Sequence, residues 1–140
     1  MRRRIAALVA GLWAGNLVCI ALIAAPAAFS VLTQPDAGRF VNRLFEREAY
    51  VSIAAAVTLC VFERMSFRDV RAASVFSATM LLCLGALFCT VAGYFAVQPL
   101  MDAARAGRGS ISFGSLHVIS AGFFVVKSFL ALTLAWRLRL

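Results

Sequence analysis

Charge is scarce in this chain, and negative charge scarcer still. Of 140 residues only 14% are charged, with 6 Asp and Glu against 14 Lys and Arg, where soluble domains carry roughly a quarter charged residues. Histidine occurs once, at His117, lysine once, at Lys127, and the four cysteines form no CxxC or CxxxC pair. A single His rules out bis-histidine haem ligation within one chain, and without GxSxG there is no nucleophile elbow for a hydrolase triad. Scattered sulfur provides neither a disulfide framework nor a thiolate metal cage, so Cys19, Cys60, Cys83 and Cys89 read as small, polarisable packing residues. Met80 and Cys83, three apart, read the same way rather than as a soft-metal pair.

What is abundant is apolar surface: 63% of the residues are hydrophobic and the mean hydropathy is +0.91. A chain of 15.1 kDa has no soluble core large enough for them. Four membrane spans of about 20 residues each would take them up and leave only short loops. The sequence predicts an all-α integral membrane four-helix bundle, one transmembrane domain over 1–140, with spans at about 5–32, 46–63, 73–97 and 111–136. Pro26 is expected to kink the end of the first span. Before the second, Phe40, Val41, Leu44 and Phe45 alternate at helical spacing with Arg39, Asn42, Arg43, Glu46 and Arg47, predicting a short amphipathic helix on the membrane surface that runs into the second span. The stretches 63–72 and 98–110 read as connectors, the latter marked by Pro99, Gly107 and Gly109.

The basic residues gather at the ends of the apolar runs, as headgroup anchors do, rather than in a stripe that would neutralise phosphates along a nucleic acid. No nucleic-acid partner is therefore expected. The first run exceeds the length of a signal-peptide hydrophobic region, so it reads as a retained span. Placing the N-terminus inside gives that side 8 arginines against 5 outside, which predicts that both termini are cytoplasmic.

Polar residues within the spans are few enough to examine singly. Asp36, Glu46, Glu48, Glu63, Asp69 and Asp102 all fall at the boundaries of apolar runs, so no membrane-embedded carboxylate is expected, and proton-coupled export, which relies on one, is disfavoured. Lys127 lies nine residues from Trp136, too deep for snorkelling to relieve it fully, and depth counting pairs it with Asn16. Gly11 and Gly15, and Gly85, Cys89 and Gly93, make small-residue stripes suited to close helix packing, within the bundle or against a second copy or membrane partner.

Several segments together resemble the bacterial relatives of transmembrane protein 205, a four-span family without an assigned reaction. They are Gly11-Leu12-Trp13-Ala14-Gly15, Ala25-Pro26-Ala27-Ala28-Phe29, the connector from Ala37-Gly38 through Leu44-Phe45 to Tyr50, Gln98-Pro99-Leu100, and Phe113 to Ser120. The resemblance implies a four-helix membrane domain of a bacterial inner (cytoplasmic) membrane and, through the animal member's association with resistance to platinum drugs, a role in export or trafficking. Combined with the orientation above, it puts Pro26, Phe29, Gly38, Phe45, Tyr50, Gln98, Pro99, Phe113 and His117 in the outer half of the membrane. There a shallow pocket walled by Phe29, Phe45 and Phe113, with His117, Tyr50 and Gln98 as polar contacts, is expected to bind ligand, and the His117 imidazole is expected to hydrogen-bond to another helix. The function read from the sequence is non-enzymatic: binding or helping export a small lipophilic or soft-metal solute, or serving as a subunit of a membrane assembly, without a cofactor. The alternative is a membrane redox enzyme holding haem or quinone through His117, with Met80, Lys127 or a partner chain as second ligand.

Overall fold

A computed structural model describes residues 2–69 and 77–139, with the side chains of 66–69 left out of the description. All its regular elements are helical. Helix α1 runs over Arg2–Val31, α2 over Gln34–Asp69, α3 over Ala78–Arg105 and α4 over Phe113–Leu138. Three of them, α1, α3 and α4, are long and apolar enough to cross a membrane. The apolar stretch of α2 is confined to the 14 residues between Glu48 and Glu63, short of the roughly 20 that a bilayer core requires.

Each helix end has a local cause. Thr33 caps α2: its hydroxyl donates to Asp36 at 2.5 Å and accepts from the Asp36 amide at 3.4 Å, with Pro35 between them in the first turn, where its missing N–H costs nothing. The Thr33 contact and the adjacent Arg39 hold the Asp36 carboxyl below its ordinary range. Ser77 and Ser112 cap α3 and α4 by accepting from Met80 and Ser115 amides. At the end of α3 the Gly107 amide reaches Ala104 and the Arg108 amide reaches Ala103, a six-residue closure that requires the positive φ of 70° found at Gly107.

The amphipathic segment before residue 46 runs directly into the apolar stretch that follows it, since Gln34–Asp69 is one continuous helix. The described parts of the expected connectors differ from the sequence reading in being helical: 63–69 completes α2 and 98–105 completes α3 with Pro99 inside it. Residues 70–72 of the first connector and 73–76 of the expected third span lie outside the described residues. Pro99 is tolerated because the preceding turn, Val91–Ala96, widens to a π-helix, and Ile20–Ala24 does the same ahead of Pro26. Proline has no N–H and its ring collides with the carbonyl four residues back, here Phe95 and Leu22; a wider turn accommodates both defects.

α1 packs against α2 and α4, and α3 packs against the same two. Their shared core is built of small and aliphatic residues at helical spacing: Ala6, Ala10, Ala14 and Leu17 from α1, Ala55, Ala56 and Leu59 from α2, Cys83 and Ala86 from α3, and Ala131 and Leu134 from α4. A rim of large apolar residues, among them Leu12, Leu22, Val118 and Phe129, points outward, an exposure that lipid satisfies and water does not. The small-residue stripes divide accordingly. A Cβ on Gly93 would stand 2.5 Å from the Phe123 side chain and one on Gly85 3.3 Å from Leu130, whereas nothing lies within 4 Å at Gly11 or Gly15.

Candidate functional site

Only four polar or charged residues among those described are buried, and three of them touch. Helix α2 brings Phe45, Glu48 and Ser52 to one face by their three- and four-residue spacing. Helix α4 brings Phe124 and Lys127 to the facing surface in the same way. The Lys127 ammonium donates to both carboxylate oxygens of Glu48, at 2.9 Å to Oε1 and 2.8 Å to Oε2. Ser52 Oγ donates to Glu48 Oε1, and the indole Nε1 of Trp13, from α1, donates to Ser52 Oγ at 2.8 Å. The Lys127 charge also lies 5.0 Å from the centre of the Phe124 ring, whose face attracts cations, and Phe45 meets that ring edge-on at 5.1 Å. Glu48 and Lys127 are each 3% exposed.

The arrangement is a satisfied polar chain across three helices, Trp13 to Ser52 to Glu48 to Lys127, and no buried side-chain N or O among the described residues lacks a partner. Taking both charges out of water is costly, and the pair is tolerable because Lys127 donates to both Glu48 oxygens and Ser52 adds a further donor to Oε1. Net charge at the site is zero, which is what an apolar surrounding demands. Thr90, the fourth buried polar residue, donates instead to the Ala86 carbonyl of its own helix at 2.9 Å.

This overturns two sequence expectations. Lys127 pairs with Glu48 and not with Asn16, which sits at the edge of the buried stripe of α1, half-exposed, while Trp13 and Leu17 fill the interior. The acidic residues are expected only at the boundaries of apolar runs, yet Glu48, at such a boundary, is buried inside the bundle. The signal that could have found it was periodicity: Glu48, Ser52, Ala55, Ala56 and Leu59 continue one helical face, all buried.

The residues expected to line an outer pocket have these neighbours. His117 is exposed on α4 and stacks on Phe113 of its own helix, ring centres 6.1 Å apart, and makes no hydrogen bond to another helix among the described residues. Phe113 also lies under the Arg105 guanidinium at 4.7 Å. Gln98 donates to Asn42 at 2.7 Å, joining α3 to α2. Tyr50 is exposed with its ring 5.7 Å from Phe95, Phe29 is exposed, and Phe45 belongs to the central pair. Among the described residues no three His, Cys, Asp or Glu side chains cluster closely enough to hold a metal ion.

Residues 8–110 match the family model described as a domain of unknown function, DUF4149. The chain belongs to that family. The match spans Trp13, Glu48 and Ser52 and ends before Lys127, so the family segment carries three members of the polar chain and α4 supplies the fourth. No curated protein and no solved structure matches the chain.

Proposed function

We propose that this protein is a four-span domain, 1–140, of a bacterial cytoplasmic membrane, with both termini in the cytoplasm, that exchanges a small lipophilic cation for protons at the Glu48–Lys127 pair. The observation that carries this reading is the buried ion pair itself. Glu48 is a carboxylate in an otherwise apolar interior, and its resident counter-charge is a primary ammonium on a different helix. A proton or a solute cation competes with Lys127 for the same oxygens, and either exchange requires α2 and α4 to part. Phe45, Phe124 and Trp13 give an organic cation the aromatic faces that favour it. Neutralisation of Glu48 by Lys127 also removes one of the charges, beside Glu46, Arg47 and Glu63, that oppose entry of 46–63 into the bilayer. The resemblance to transmembrane protein 205 supports a role in export, and the open Gly11 and Gly15 surface supports a second copy alongside.

The test uses tetraphenylphosphonium, a hydrophobic monovalent cation, and proteoliposomes carrying an imposed pH gradient. Gradient-driven accumulation is expected with the wild type and is expected to vanish with Glu48→Gln. Accumulation no greater than in protein-free vesicles, or unchanged in Glu48→Gln, overturns the proposal.

A further inference from the structure

The first turn of α1 and the last turn of α4 meet at one pole of the molecule, where a cavity of about 300 Å³ is lined by Arg2, Arg3, Arg137, Glu63, Thr79 and Leu59. It lies apart from the central pair and takes no part in the exchange proposed above. Among the described residues Arg3 and Arg137 border it together with one carboxylate, Glu63, which accepts from the Ser77 hydroxyl at 2.6 Å through Oε1. Thr79 stands in the first turn of α3, whose helix dipole adds positive potential at the same pole. Arginine, unlike lysine, offers a planar fork that meets two oxygens of one phosphate at once. Arg3 and Arg137 also sit at the polar flanks of apolar helices, the depth at which lipid phosphates lie.

We infer that this cavity binds a phosphate-bearing anion, clasped between Arg3 on α1 and Arg137 on α4. The chemistry is shared by free phosphate and by the phosphodiester of an anionic lipid, and the experiment separates them. Full-length protein in neutral detergent at constant ionic strength is titrated with sodium phosphate, dioleoylphosphatidylglycerol or dioleoylphosphatidylcholine while the thermal unfolding midpoint is followed. A saturable rise of several degrees is expected. If phosphate alone produces it, the ligand is the free ion; if only phosphatidylglycerol does, the ligand is a lipid headgroup. The rise is expected to disappear in Arg3→Gln/Arg137→Gln and to persist in Arg39→Gln/Arg43→Gln, which removes the same charge at the far pole. Should the first double variant not fold, Arg137→Lys keeps the charge, loses the fork and is expected to weaken binding about tenfold. No saturable rise with phosphate or phosphatidylglycerol, an equal rise with phosphatidylcholine, or undiminished affinity in the folded Arg3/Arg137 variant or in Arg137→Lys overturns the inference.

Discussion

At the scale of single residues, the question is how a lysine and a glutamate come to occupy the driest part of the molecule. An unpaired Lys at the centre of a membrane helix costs roughly 2.5–3.5 kcal/mol on insertion scales. Pairing does not simply reverse that sum, because Glu48 must also be desolvated; the pair is held by the donors that surround it, two from Lys127, one from Ser52, and Trp13 behind Ser52. The consequence is an asymmetry between single and double substitutions. Glu48→Gln leaves a buried ammonium without a counter-charge and Lys127→Met leaves a buried carboxylate, and each is expected to destabilise by about 3–5 kcal/mol. Glu48→Gln/Lys127→Met removes both charges and is expected to return close to wild-type stability. Equilibrium unfolding in mixed micelles reads the cycle, and additive single effects would show that the two side chains are not coupled. Cation exchange gives the complementary readout, since the double variant is expected to fold and yet not transport.

At the scale of elements, close approach rather than apolar contact decides which helix faces meet. α3 and α4 touch along Gly85 and Gly93, and Ser120 of α4 donates to the Gly93 carbonyl at 2.8 Å, a contact that a larger residue at 93 would push apart. An added methyl there meets the Phe123 Cβ at 2.5 Å, with no flexible side-chain end to yield. Gly93→Ala is therefore expected to lower stability by about 1–3 kcal/mol. Gly11→Ala meets open space and is expected to be neutral or to stabilise the helix by up to about 1 kcal/mol through reduced backbone entropy. Unfolding midpoints of the two variants in the same detergent check this ordering, and equal losses would mean that the α3–α4 interface is looser than described. The π-turns before Pro26 and Pro99 belong to this scale as well: the prolines interrupt the hydrogen-bond ladder without ending either helix.

At the scale of the whole molecule, the ends of α1 and α4 face one cavity, which puts the two ends of the described chain on the same side. That placement supports the even number of crossings proposed above, and the Arg distribution is what predicts the direction. A reporter fused after Leu140 is expected to report cytoplasm and one fused after Arg108 the outside. A reversed pattern would turn the basic cavity toward the outer face, and matching signals at both positions would mean that α4 does not cross.

Composition alone determined that this chain is helical and belongs in a membrane, because no soluble fold of this size shelters so much apolar surface. The positions of α1, α3 and α4 were legible for the same reason, as uninterrupted apolar runs of the length a bilayer needs. Glycine spacing was legible too, but not which stripe faces inward. What tertiary structure decided was partnership. Depth counting along separate helices treats each as a straight ruler and assigned Lys127 to Asn16; the rotation of each helix about its own axis, set by packing of the whole buried face, brought Glu48 instead. The same rotation placed His117 outside and gathered Arg3 and Arg137 from opposite ends of the sequence. Periodicity records which residues share a face of one helix, while the choice of facing residue on another is made only when the helices pack.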